Sequence, residues 1–457
     1  MEEYLDNDIP PYAILSHTWG SSEIDFCEWQ RGQPAKNKDG YAKIIAAQNQ
    51  ARKDGLKYLW VDTCCIDKRS SAELSEAINS MFAWYRDSSV CYAFLADVQI
   101  QQFKQGCRGS ESVYPATIKL EDLKGSRWFT RGWTLQELLA PRQVQFFSGS
   151  WICLGTKESL AGMISEITLI HVAYLVGDDI RTASIAQRMA WASGRITKRL
   201  EDIAYGLMGI FDVNMPLLYG EKHKAFIRLQ EEILKKSNDE SIFAWGQQGR
   251  NHESNQRYGL LATSPKEFSA SATIIGFPEE GRQLKTTNTA VLLQRFDDFE
   301  SDPSPDSPLY VRLQVRDLKQ MTSYICLPVE YAPEKATYCR VSVDYPAYIS
   351  PRRVPLAAPR RLQTKSWDGR RRDIDNILPV SKEQPIVPKR LSQPTFDIVV
   401  KHSYPPHVND KLPSHKNSSG CILPLGFTGS NTGAISGYDY QLPQSAIRIT
   451  SISTKSV

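Results

Sequence analysis

Residues 58–95 read YLWVDTCCIDKRSSAELSEAINSMFAWYRDSSVCYAFL, and their hydrophobic period changes twice. Tyr58–Asp62 (YLWVD) is a short apolar run of the buried-strand type. Ser70 followed by Glu73 is a capping-box pattern. The helix it opens carries Leu74, Ile78, Met81, Phe82 and Tyr85 on one stripe at helical spacing. Val90–Leu95 (VCYAFL) is a strand again. Working outward, Tyr12–Ser16 (YAILS) is an earlier strand, ended by the polar turn His17-Thr18-Trp19-Gly20. Tyr41–Asp54 reads as a helix closed by Gly55 at a C-cap position, and Val144–Phe147 (VQFF) as a fourth strand. Strands that alternate with helices, and are apolar on both faces, predict an α/β domain over residues 1–150. Its sheet is doubly wound, mostly parallel and covered on both sides.

At 457 residues the chain exceeds one ordinary core, so two or three domains are expected. Residues 151–245 read as a helical region. Ile185, Met189 and Ala192 recur on one face, Glu201–Phe211 is a further apolar helix, and Phe226, Leu229 and Ile233 form a stripe. Glu231 with Lys235, and Glu232 with Lys236, are spaced as surface pairs. Residues 246–457 offer strand-like runs at Ala290–Leu293, Leu309–Val315, Ser323–Pro328, Tyr338–Val343 and Phe396–Val400. Turn residues separate them, which predicts a β-rich, antiparallel C-terminal domain. Ser301–Ser307 and Pro351–Pro394 read as long loops or linkers.

The net charge of +4 does not by itself call for a nucleic-acid partner. The arginines between Arg352 and Arg372 leave a nucleic-acid or regulatory role as an alternative, but they are diluted by Asp368 and read rather as a solvated linker. No apolar run approaches bilayer length, and the acidic start MEEYLDNDIPPY is not a secretory signal. Nine scattered cysteines without a Cys-x-x-Cys pair favour free thiols over a disulfide framework or a zinc site, and so a cytoplasmic protein. Phosphate-loop, dinucleotide-binding, nucleophile-elbow and His-Glu-x-x-His motifs are absent, so neither a metal nor a cofactor is expected.

The candidate chemistry sits at strand ends. Ser126–Pro141, SRWFTRGWTLQELLAP, places two tryptophans, two arginines and Glu137 between two strands. Trp133 and Glu137 are four residues apart and share a helical face. A carboxylate beside an indole can act as a base or hold a ligand hydroxyl; it can equally pair with Arg131 or be solvated. His17, Thr18 and Trp19 follow the first strand, and Asp62 closes the second. In a doubly wound sheet such ends converge on one crevice, where Arg127 and Arg131 would offer phosphate contacts to a nucleotide-like ligand. For His17 and Asp62, backbone-bonded turn roles stand beside the ligand role. Cys64 and Cys65 read as inert core thiols.

Three ordered blocks, YAILSHTWG (Tyr12–Gly20), YLWVDTCCIDK (Tyr58–Lys68) and SRWFTRGWTLQELLAP (Ser126–Pro141), resemble the fungal heterokaryon-incompatibility (HET) domain. The resemblance implies a role in fungal non-self recognition, in which such proteins trigger cell death after incompatible fusion. It also implies self-association or a separate receptor as partner. Members of the family usually carry a strand before the first block; only MEEYLDNDIPP precedes it here, so either a shortened start or a lost edge strand is expected. The family is in turn similar to TIR domains, whose enzymes use a glutamate after the third strand to cleave the nicotinamide–ribose bond of NAD. Glu137 is the matching acid, although the cysteine of that segment has no counterpart here. The resemblance thus implies NAD as a substrate, with a non-catalytic TIR-like assembly module as the alternative.

Overall fold

The computed structural model describes residues 2–5, 8–32, 36–100, 103–104, 113–114, 118–246, 259–276, 285–287, 290–294, 309–321, 323–332, 337–340, 347–349, 397–401 and 446–451. The chain divides into two compact units: residues 1–237, 261–272 and 403–457 form the first, and residues 238–260 and 273–402 the second.

The first unit is built on a seven-stranded sheet. Its strands in chain order are β1 (Glu2–Leu5), β2 (Tyr12–His17), β3 (Tyr58–Val61), β4 (Val90–Leu95), β5 (Val144–Ser148), β6 (Cys153–Thr156) and β7 (Ala446–Ser451). In space they run β1-β7-β3-β2-β4-β5-β6. The inner four, β3-β2-β4-β5, are parallel. The pairs β1–β7, β7–β3 and β5–β6 are antiparallel. The sheet is therefore mixed: parallel where the four apolar runs lie and antiparallel at its edges.

Two edge features correct the sequence reading. A strand does precede the first block: Glu2–Leu5 pairs with β7 through its backbone while Glu2 and Glu3 stay exposed, so no apolar run marks it. The strand Ala446–Ser451, which falls in the stretch read as the β-rich third region, belongs to the first sheet. Its alternation is of strand period, with Ile447 and Ile449 fully buried.

Among the helices, α1 (Phe26–Gln30), α2 (Asp39–Lys53), α3 (Asp62–Cys65), α4 (Ser71–Asp87) and α5 (Thr134–Leu139) connect or flank these strands. The capping box expected at Ser70 is half formed. Ser70 Oγ accepts the Glu73 N–H, but the Glu73 carboxylate accepts from the Asp67 N–H at 2.8 Å and from Arg448 at 2.5 Å. On α4 the buried stripe is Ala77, Ile78, Met81, Trp84 and Tyr85. Trp60 on β3 packs against Trp84 and Tyr85, with ring centroids 5.6 and 5.9 Å away. Phe82 instead presses on Gly209, where an added Cβ would stand 2.2 Å from Phe82 Cβ. Gly209→Ala is therefore expected to push the two elements apart and to cost about 1–3 kcal/mol. A chemical-denaturation midpoint equal to that of the parent chain would contradict this packing.

The chain descends from β2 to β3 on one side and then crosses to β4 on the other. The strand order thus reverses at β2, and the carboxyl ends of β2 and β4 flank a topological switch point, where open α/β sheets bind ligands.

The stretch 161–236 is helical and includes α6 (Ile185–Ala192) and α7 (Lys224–Lys236). The helix expected over Glu201–Phe211 is split into Asp202–Tyr205 and Met208–Phe211 around Gly206. On α7, Lys235 pairs with Glu232 at 2.7 Å, and Lys236 turns to Asp212. Those contacts replace the four-residue pairs expected there. Among the described residues no helix is long and apolar enough to cross a membrane.

In the second unit, seven described strands form one sheet: six lie in the order Lys285–Thr287, Ala290–Gln294, Asp397–Lys401, Thr337–Arg340, Tyr324–Ala332 and Leu309–Arg312, and Ala347–Ile349 also pairs with Tyr324–Ala332. Their pairing is antiparallel except between Thr337–Arg340 and Asp397–Lys401. Arg340 is fully buried and donates to the Phe243 and Trp245 carbonyls at 3.3 and 2.6 Å. Ser301–Ser307 and Pro351–Pro394, with the arginines between Arg352 and Arg372, lie outside the described residues.

Candidate functional site

Strand β2 is apolar until its last two residues, and Ser16 stays fully buried because its hydroxyl is bonded on both sides. Trp128 Nε1, which can only donate, is 2.8 Å from Ser16 Oγ. The serine proton therefore points to Glu137 Oε2, at 2.5 Å. The result is a buried relay, Trp128–Ser16–Glu137, spanning the switch point between β2 and the segment after β4. That segment is tied to the end of β4 by Asp97, which accepts from Ser126 Oγ at 2.8 Å and from the Arg127 N–H at 2.7 Å. Trp128 is fully buried and meets Phe129 and Phe146 edge-on.

Glu137 is 7% exposed. Burial pushes its carboxyl up to about 8. The Ser16 hydroxyl, Tyr85 and Arg131 oppose that rise, and the Asp62 charge adds to it. At neutral pH the acid is therefore largely protonated.

Beside it lies a second polar group. Trp19 Nε1 donates to Asp62 Oδ2 at 2.7 Å, and Lys43 Nζ bonds both Glu23 oxygens at 2.7 and 2.8 Å. His17 Nε2 lies 3.7 Å from Asp62 Oδ1 and 3.9 Å from Glu23 Oε2, too far for hydrogen bonds. Burial holds the imidazole well below its usual range, reinforced by Lys43, Lys68 and Arg131 and opposed by Glu23. His17 is thus neutral, and neither of its ring nitrogens has a hydrogen-bond partner among the described residues; nor do Asp62 Oδ1 and Thr63 Oγ1. Buried orphans of this kind are rare in a purely structural core. A cleft of about 270 Å³ opens next to them, lined by Trp19, Phe26, Thr63, Ile66, Lys68 and Arg69. Lys68 Nζ sits 3.7 Å over the Trp19 ring.

Of the residues singled out from sequence, the structure gathers Glu137, His17, Trp19 and Asp62 at the carboxyl ends of β2 and β3, with half-buried Thr18 between His17 and Trp19. Arg131 is half-buried and acts electrostatically on both His17 and Glu137. Trp133 and Arg127 correct the reading. Trp133 immediately precedes the six-residue helix α5 and turns to Asp202 and Gly206, so the indole beside Glu137 is that of Trp128. Arg127 is exposed and is tied to Asp97 by its backbone. Cys64 and Cys65 are buried, and the Cys64 thiol is pushed well up by its bond to Cys65 and by burial. Among the described residues no group of three His, Cys, Asp or Glu side chains is placed to hold a metal ion.

Sequence reasoning passed over Ser16, Tyr85, Lys43 and Arg195. Arg195 is buried and donates through Nη1 to the Arg131 carbonyl and to Thr134 Oγ1, both at 2.9 Å. The neighbouring backbone bonds, Ile196 N to Thr130 O and Gly132 N to Ile196 O, clamp the loop that leads into α5. Gly132 is required there, because a Cβ would fall 2.3 Å from Thr197 Cγ2. Replacing Arg195 by methionine should loosen α5 and raise amide exchange across 131–137, detectable by hydrogen exchange. Unchanged protection would remove Arg195 from this role.

A family model described as heterokaryon incompatibility protein (HET) matches residues 12–137, from the start of β2 to Glu137 itself. A second, described as a domain of unknown function (DUF8212), matches residues 224–299. The chain is 50% identical over 230 residues to vegetative incompatibility protein HET-E-1 of Podospora anserina. That match takes in 50% of this chain and 16% of the relative, so the chain spans only a small part of that protein's length. No solved structure matches the chain.

Proposed function

From the premise that this chain is a HET-domain protein, we propose that it is an effector of heterokaryon incompatibility that kills the cell by cleaving the nicotinamide–ribose bond of NAD at the Glu137 cluster. The observation that carries this reading is the combination of a buried acid raised to about 8 with the unpartnered ring nitrogens of His17 and the unpartnered Oδ1 of Asp62 at the switch point of an α/β sheet. In this reading the positive charge of the nicotinamide ring favours the ionised form of Glu137, whose proton passes to solvent. The bond from ribose to nicotinamide then breaks with its electron pair leaving on neutral nicotinamide, the carboxylate stabilises the oxocarbenium-like ribosyl cation, and water adds to that cation and gives up a proton. Ser16 and Trp128 hold the carboxyl in place, and Asp62 and His17 offer bonds to ribose hydroxyls. The resemblance to TIR domains supports Glu137 as the acid.

A second reading, a non-catalytic module that signals by assembly, is favoured by the burial of Glu137. Expression in yeast with NAD measured alongside growth separates the two. The catalytic reading expects growth arrest with falling NAD, both lost in Glu137→Ala. Arrest that persists in the variant at unchanged NAD supports assembly instead.

A further inference from the structure

The edge of β3 that faces away from β2 is closed by a strand from a distant part of the chain. Strand β7 inserts between β3 and β1 and pairs antiparallel with each. Thr450 and Ser451 stand opposite Leu59 and Tyr58, while Ala446–Ile449 stand opposite Leu5–Glu2. Thr450 Oγ1 donates to the Leu59 carbonyl at 2.8 Å, a bond 391 residues apart in sequence. The slot that receives β7 is apolar with an acidic rim. Ile447 and Ile449 are fully buried in it. Between them Arg448 reaches Glu73 at 2.5 Å and Glu3 at 3.2 Å, over the Phe26 ring at 5.4 Å.

Two further facts bear on how fixed this arrangement is. The HET match covers residues 12–137 and so includes β2, β3 and β4 but neither β1 nor β7. Within the matched segment β3 is thus an edge strand, and an uncovered edge is a template for another strand. The ladder between β7 and β3 is also short, with two register pairs against four to β1. Residues 402–445 separate β7 from the preceding described strand. A connection of that many residues does not by itself tie β7 to its own molecule, because closure entropy grows only slowly with loop length. A second copy supplies the same alternating isoleucines and the same arginine for Glu73 and Glu3.

The geometry points to β3 as a strand-acceptor edge and to β7 as its exchangeable occupant: two copies of this chain pair by trading residues 446–451. The exchange is reciprocal, so it closes as a symmetric dimer rather than growing into a fibre. The edge contacts are the same in the closed monomer and the dimer, which makes the balance depend on concentration.

The test uses the full chain and a synthetic peptide of residues 444–453. Sedimentation over a range of concentrations should show a monomer–dimer equilibrium. A tenfold molar excess of the peptide should convert the dimer to peptide-bound monomer. The same peptide with Ile447→Asp and Ile449→Asp should leave the dimer intact. A chain that stays monomeric at every concentration overturns the proposal. So does a dimer that survives the native peptide, or one that both peptides dissolve alike.

Discussion

Replacing Ser16 by alanine should destabilise the first unit by about 2–5 kcal/mol. The hydroxyl accepts from Trp128 and donates to Glu137, so its removal strands a buried indole N–H and takes a bond from a buried carboxyl. Each orphan costs about 1–3 kcal/mol. The side chain is otherwise small and leaves little cavity, so the loss reports the bonds rather than packing. Ser16→Ala combined with Trp128→Phe should cost less than the sum of the two single changes, because the second change removes the orphan created by the first. Strictly additive denaturation free energies would show that the relay is not a unit.

The second large effect is on pH dependence. Glu137 is raised to about 8 in the folded chain by burial, whereas in the unfolded chain it ionises at the ordinary glutamate value of about 4.3. Below that value both states hold the proton. Between the two values only the folded state does, so unfolding releases a proton and stability falls as pH rises, by about 1.4 kcal/mol per unit. Above about 8 both states are ionised and the slope ends. Glu137→Gln lacks this titration. The variant should match the parent near pH 5 and be more stable at pH 8 by on the order of 3–5 kcal/mol. His17 contributes with the opposite sign. It is neutral in the fold, so its share of stability is lost as pH falls below its ordinary range. Both proteins carry that term, and it cancels in the difference. Parallel stability curves for parent and variant from pH 5 to 8 would contradict a buried, protonated Glu137.

Legibility from sequence followed the physics of each element. The four parallel strands were readable because a strand covered on both faces must be a continuous apolar run, as in YAILS, YLWV, VCYAFL and VQFF. The antiparallel edges were not, because β1 is half charged and its pairing partner lies at the other end of the sequence. Glu137 stood out as the acid of a tryptophan-rich segment. Its true neighbours did not: Ser16 is 121 residues away and reads as the start of a turn. Helical spacing points to Trp133 as the indole beside Glu137, yet α5 begins at Thr134 and has only six residues. The indole that reaches the site comes from the preceding 3₁₀ turn, Arg127–Thr130, to which a period of 3.6 does not apply.

Under the proposed function the Glu137 cluster performs chemistry rather than merely closing a core. The most direct measurement is nicotinamide release from NAD by the purified full chain and by Glu137→Gln, with thermal midpoints recorded on the same samples at pH 6. At that pH the amide stands in for a protonated acid of nearly the same shape. The account predicts release by the parent chain, a fall of at least about a hundredfold in the variant, and midpoints within a few degrees of each other. Equal release by both proteins, or none from a folded parent chain in its assembled state, would contradict it.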